Sequence, residues 1–340
     1  MYTYKDNLVS LITPGWNGKQ FVHRLLDSIL EQTYRPIEYI YVDDGSTDGT
    51  ADIVQSYKDK FEKANIYFKF IRQENGGISK ALMTGFQHVT GEYMSCPEYD
   101  DILLPNSVKE KIKYLEDHPD VAVVTAEAWI VNEDNIEKRE RLISNKNPNR
   151  FDRNHFHQAL MGHSIFNAAC HMIRMEFFDK THPNRMIFPS RHLPNQQILL
   201  PLYYHYNRGF IEQPLSICVA RNNSLSRSFP TLQSKIDITE EYKTILIKTI
   251  SSINMPQSDI DFYKKRVEIN VHKDYLLIGF NHKCKDLFMN SFHFLEQEHE
   301  LNNTHYRHKE LLNSEYKYQL YRFKIVFTNF FYRITHLFTK

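Results

Sequence analysis

The chain has 340 residues, enough for one large domain or a domain with an extension. With 42 Lys and Arg against 41 Asp and Glu, the net charge is +1, so no global field points to a nucleic-acid partner. No apolar run approaches the ~18 residues of a membrane span, and the N-terminal LVSLI is too short for a signal-peptide core. Cys96, Cys170, Cys218 and Cys284 are scattered without CxxC spacing, which reads as reduced thiols and a cytoplasmic location.

Leu8 to Thr13 is a short β-leaning run that stops at Pro14-Gly15. Apolar residues at Phe21, Val22, Leu25, Leu26, Ile29 and Leu30 predict a helix over 19–32. Ile37 to Val42 reads as a second strand, Thr50 to Ala64 as a helix and Ile66 to Ile71 as a third strand. After the break at Gly76-Gly77, a helix over 78–89 leads to a strand over 92–96. This alternation predicts a mostly parallel sheet with right-handed crossovers. A helix over 107–117 and a strand over 121–125 follow, then a polar, irregular stretch over 144–157. Residues 166–178 are mixed, 196–206 helical and 211–220 a late strand, with the polar loop RNNSLSRS after it. Beyond about residue 234 the chain is helix-leaning with almost no Gly.

Two acid clusters fall at predicted strand ends, where ligands of such sheets bind. One is Asp43-Asp44-Gly45-Ser46-Thr47-Asp48-Gly49, the other Glu98-Tyr99-Asp100-Asp101. The second suits either a divalent cation bridging a diphosphate or an acidic turn beside a helix start. The first suits either a turn with a capping Asp48 or Ser46 or a carboxylate that accepts hydrogen bonds from a nucleobase or ribose. His155, His157 and His163 match no metal-ligand spacing and read as polar surface or acceptor-cleft residues.

The ordered set VDDGSTDGT, QENGGISKA and GEY…DDILLPN resembles the nucleotide-binding half of family 2 glycosyltransferases with the GT-A fold, over roughly residues 7 to 225. The resemblance implies an α/β, Rossmann-like GT-A fold with a mostly parallel central sheet flanked by helices. The domain would span 1–233, divided near residue 106 into nucleotide-sugar and acceptor halves, with a helical extension over 234–340. It implies an inverting transferase moving sugar from a nucleoside-diphosphate sugar, UDP-sugar favoured, to a hydroxyl of a cell-surface glycan or lipid-linked acceptor. Mn²⁺ or Mg²⁺ would assist, held by Asp101 and Glu98. Thr13, Pro14, Asp43, Asp44, Gly77, Lys80 and Asp100 would contact the donor. Arg221, Ser226 and Arg227 would either close over the diphosphate or form a solvated loop.

Two positions depart from the family pattern. Glu98 stands where Asp is usual, and no carboxylate precedes ILLPLYYHY, where the family's general base is expected. Asn195 or Gln196 could orient an acceptor hydroxyl there without taking its proton. His192 could take it, or be a surface histidine. The missing acid also suits an alternative, a degenerate binder of nucleotide-sugar or glycan without turnover. A dinucleotide-dependent oxidoreductase is disfavoured because no GxGxxG follows the first strand, and a nucleotidyltransferase because a Gly-rich basic loop is missing there. The tail over 317–340 is basic, aromatic and acid-free. It suits the anionic inner face of a membrane, making the protein peripheral, or packing against the protein or a second subunit of a homo-oligomer.

Overall fold

The computed structural model describes residues 2–221, 229–319 and 321. The first four strands, β1 (Lys5–Gly15), β2 (Ile37–Asp43), β3 (Ile66–Arg72) and β4 (Gly91–Ser95), are joined by helices, as the alternation predicts. These are α1 (Val22–Leu30), the short α2 (Thr50–Ser56) and α3 (Lys58–Lys63), which meet at Tyr57, and α4 (Ile78–Phe86). All pairings among these four strands are parallel, with Leu11 opposite Tyr39 and Tyr39 opposite Phe68. Every residue of β2 is buried because helices cover both sheet faces.

Beyond β4 the sheet becomes mixed. The added strands are β5 (Ile102–Leu103), β6 (Val121–Asn132), β7 (Arg141–Leu142), β8 (His171–Arg174) and β9 (Asn207–Ala220). The order is β3-β2-β1-β4-β8-β6-β9-β5, with β7 beside β6. β8 runs antiparallel to both β4 and β6, while β6 and β9 are parallel. β8 was hidden within the mixed stretch 166–178, and β5 has two residues, too few for a periodic signal. The helices here are α5 (Ser107–Asp117), α6 (Phe156–Leu160), α7 (Met175–Thr181) and α8 (Pro194–His205). Leu25, Leu26, Ile29, Tyr39, Phe61 and Leu115 lie in the core under the parallel strands.

Two compact units divide the chain: Met1–Ser228 with Thr244–Tyr263, and Phe229–Lys243 with Lys264–Lys340. The expected boundary after residue 233 lies near the first break, but the first unit also takes in 244–263. The remaining helices are α9 (Leu232–Ser252), α10 (Gln257–Asn281), α11 (Lys285–Gln297) and α12 (Asn303–Leu312). The second unit has its own apolar core, built on Leu276, Phe280, Phe288, Phe292 and Leu295. A Cβ at Gly279 would lie 2.8 Å from the Phe288 nitrogen, so that packing needs the glycine. Among the described residues, no helix is long and apolar enough to cross a membrane. Most of the tail, residue 320 and residues 322–340, lies outside the described residues, as do Ser226 and Arg227.

Candidate active site

The carboxyl ends of β1, β2 and β4 meet in one region, and the sequence pattern explains how. Pro14 and Gly15 end β1 opposite Val42 and Asp43. The loop after β1 is tied to the STDGT segment. Asn17 N donates to Ser46 Oγ (3.0 Å), Gly18 N to Thr50 Oγ1 (2.9 Å) and Lys19 N to Asp48 Oδ2 (3.0 Å). The polar residues after β2 thus fasten two loops together, beyond starting α2, whose N-cap is Gly49 at φ +91°.

Asp43 and Asp44 are both buried but face different partners. Asp43 accepts from Ser46 N at 3.3 Å and pairs with Arg72 Nε at 3.4 Å, closing the turn. Asp44 clamps the glycine loop. Its Oδ1 accepts from Gln73 Nε2 (2.7 Å) and Gly76 N (2.9 Å), and its Oδ2 accepts from Gly77 N (2.8 Å). Three of about four lone-pair positions are therefore used, leaving one for a ligand. Gly77 adopts φ +86°, ψ 164°, a region closed to other residues. The Lys80 stem folds over Gly76, and Lys80 itself is exposed.

Thr13 is fully buried and donates from Oγ1 to Pro97 O (3.0 Å), which ties the end of β1 to the second acid cluster. There Glu98 N donates to Asp101 Oδ2 (2.9 Å), and Asp101 N donates to Glu98 O (3.0 Å). Asn167 Nδ2 approaches Asp101 Oδ1 at 3.4 Å. Arg221 Nη2 pairs with Asp100 Oδ2 at 2.7 Å, and its guanidinium lies over Phe21 (4.7 Å) and Tyr99 (5.6 Å). Asn195, on the first turn of α8, lies near enough to Glu98 to favour its ionised form. Burial is the main force on all three acids. It pushes Glu98 up to about 7, with Asp100 adding to the rise and Arg221 and Asn195 opposing it. Burial, then Glu98 and Asp100, holds Asp101 well above the usual carboxylate range. Burial also raises Asp100, against the pull of Arg221 and then Arg24.

The region around the second acid cluster therefore unites Thr13, Glu98, Asp100, Asp101, Asn195 and Arg221. Gln196 is half-buried on the same helix turn as Asn195, and His192 precedes it, half-buried. The buried amide of that stretch is Gln197, which accepts from Phe188 N (2.7 Å) and donates to Ser190 Oγ (3.1 Å). Arg24 and Asn167 were not foreseen. Arg24 sits within the apolar spacing of α1, where a charge reads as solvent-facing, yet its Nη1 is sealed without a hydrogen-bond partner. Asn167 lies in a stretch with no clear periodicity. Of the three histidines read as polar surface or cleft residues, His155 is fully buried and packs edge-on against Tyr203.

The hard oxygens of Glu98, Asp100 and buried Asp101 are of the type that suits Mg²⁺ or Mn²⁺. Among the described residues, no three His, Cys, Asp or Glu side chains converge on one ion position. One or two carboxylates with substrate phosphates are a normal Mg²⁺ ligand set, so the donor chemistry still fits.

A curled sheet with a clamped glycine loop and an acid cluster at its carboxyl edge is the architecture of an α/β protein that binds its ligand beyond the strand ends. The family model for glycosyl transferase family 2 matches residues 10–181, just over half of the chain, and the chain belongs to that family. An uncharacterised glycosyltransferase of Rickettsia typhi is 42% identical over 118 residues, which are 34% of this chain and 35% of the relative. The chain spans about a third or less of the Rickettsia relatives it matches. S. aureus TarS 1–349, solved with UDP-GlcNAc, superposes with a TM-score of 0.60 at 18% identity over 83% of this chain and 79% of TarS. The Pyrobaculum calidifontis mannosyltransferase PcManGT, solved with GDP-Man and Mn²⁺, gives 0.52 at 18% over 94% and 83%. These likenesses show the fold, a GT-A sheet flanked by helices.

Proposed function

We propose that the protein transfers a sugar from a nucleoside-diphosphate sugar, UDP-sugar favoured, to a hydroxyl of a cell-surface glycan or lipid-linked acceptor, with inversion. The observation that carries this reading is the crowding of Glu98, Asp100 and Asp101 beside Arg221 at the end of β4. The TarS complex with UDP-GlcNAc and the PcManGT complex with GDP-Man support a nucleotide-sugar as ligand.

Asp44 holds the glycine loop so that its one remaining lone-pair position can meet a base or ribose donor group. Thr13 fixes the spacing between β1 and the acid cluster. Arg221 exchanges Asp100 for the donor's diphosphate, gaining charge-assisted hydrogen bonds. Asp101 and Glu98 would hold a divalent cation, which when bound supplies charge neutralisation for the leaving diphosphate. Asn195, near Glu98, and Gln196 orient the acceptor hydroxyl, and His192 is positioned in sequence to receive its proton. The tail over 317–340 suits attachment to an anionic membrane face, where a lipid-linked acceptor would be met. Flotation with anionic vesicles, with and without those residues, tests that attachment.

A second reading, a binder without turnover, is favoured by Asn195 and Gln196 standing where a carboxylate is needed for proton abstraction. A panel of UDP-, GDP- and TDP-sugars, with Mn²⁺ or with EDTA, separates the two. Metal-dependent release of one nucleoside diphosphate supports transfer. Tight binding with no release, even with candidate acceptors, supports the binder, and no binding of any donor removes both.

A further inference from the structure

A cavity of about 440 Å³, within the size range of small-ligand sites, opens between residues 143–150, residues 162–165 and Arg208. Its walls include Ser144, Asn147, Arg150, His163, Ser164 and Arg208, nearly all of them donors. Arg208 is only 2% exposed. Its Nε donates to Thr125 Oγ1 (2.9 Å) and its Nη1 to the Arg150 carbonyl (2.6 Å), both neutral acceptors. No acid among the described residues forms an ion pair with it; burial dominates its surroundings, then Tyr203, with Asp152 a weaker and more distant carboxylate. A buried guanidinium without a paired counter-charge is costly.

Burial, then Arg208, keeps the neighbouring His155 and His171 neutral, and each of these rings keeps a buried nitrogen without a hydrogen-bond partner. The nearby acids are committed elsewhere. Glu127 accepts from Ser144 N (3.0 Å) and from the Ser144 hydroxyl. Glu212 pairs with Arg150 at 3.1 Å but is 67% exposed, a pair weak enough for a ligand to displace.

We propose that this cavity binds an anionic sugar, with its carboxylate or phosphate between Arg150 and Arg208 and its hydroxyls toward Asn147 and Ser164. The chemistry shared by both forms is an oxyanion on a ring small enough for the cavity. Its role as an acceptor subsite rests on the transferase reading, whereas the binding itself does not.

The test is an NMR titration of the full-length chain, reading the His163 ring resonance assigned by its loss in His163→Gln. Glucuronate and glucose 1-phosphate are the probes, glucose is the uncharged control, and UDP is kept saturating to block the donor region. Saturable shifts with both acidic sugars, at least ~10-fold stronger than with glucose, are expected. A response to one acidic sugar alone also supports the site and identifies the oxyanion. Arg150→Gln or Ser164→Asp should each weaken binding by about 10-fold or more with the melting temperature held, so a failure of Arg208→Met to fold does not void the test. Equal response to glucose, no shift at all, or full affinity in Ser164→Asp would overturn the proposal. Transfer without cavity binding removes only this inference, and cavity binding without transfer removes only the transferase reading.

Discussion

The two strand-end acid pairs look alike in sequence and differ in what surrounds them. Asp43-Asp44 is satisfied from within, by Arg72 and by backbone N–H groups of two loops. Buried Asp101 and half-buried Glu98 and Asp100 lie close together, with Arg221 as the one cation paired to them in the described structure. The first pair is held largely by the chain itself, with one Asp44 position left open, while the second is crowded and has a single ion pair. On the proposed reading the same two letters, DD, mainly fasten loops at one strand end and meet charge at the next.

The sharpest break of this contrast is Asp101→Asn. It should lower transfer by more than ~100-fold while keeping the melting temperature level or raising it, since a buried like charge is removed. Turnover and calorimetry on one preparation check both halves, and an active Asp101→Asn protein would end the assignment of chemistry to this pair. Asp44→Ala should do the reverse to stability. It strands two backbone N–H groups and should cost about 2–4 kcal/mol in denaturant titrations.

A smaller effect appears with pH. Burial, then Asp100, raises the Glu98 carboxyl from 4.5 to about 7 in the fold, and the test is run in EDTA. Its contribution is fully present below pH 4.5 and is lost as pH rises through about 7, so stability should decline across that window. Glu98→Gln should flatten the slope, and an unchanged slope would show that the acids are not crowded in solution. The smallest effect is expected from Gly77→Ala, about 1–3 kcal/mol from the backbone conformation at φ +86°. It should raise the donor KM through the Asp44 clamp, and donor titration reads it.

Much of this was legible beforehand. The first four strands and their helices follow from apolar spacing and turn residues, because local signals and tertiary burial agree there. β5 and β8 were not legible, since strands of two and four residues are set by their partners and not by their own pattern. The acid clusters were readable as motifs, but their division of labour was not, because Arg72 and Arg221 arrive from elsewhere in the chain. The Arg208 cavity gave no sequence signal, as a lone Arg before Gly209 reads as surface.

The two-residue strand β5 sets Ile102 opposite Ile217 and Leu103 opposite Ser216, antiparallel. Continued outward, that ladder carries the chain after Ala220 back alongside Asp100, where Arg221 makes its pair. It works as a ruler. One residue inserted or deleted between Ser216 and Arg221 would turn the guanidinium to the opposite face, so this stretch should tolerate substitution far better than any change in length.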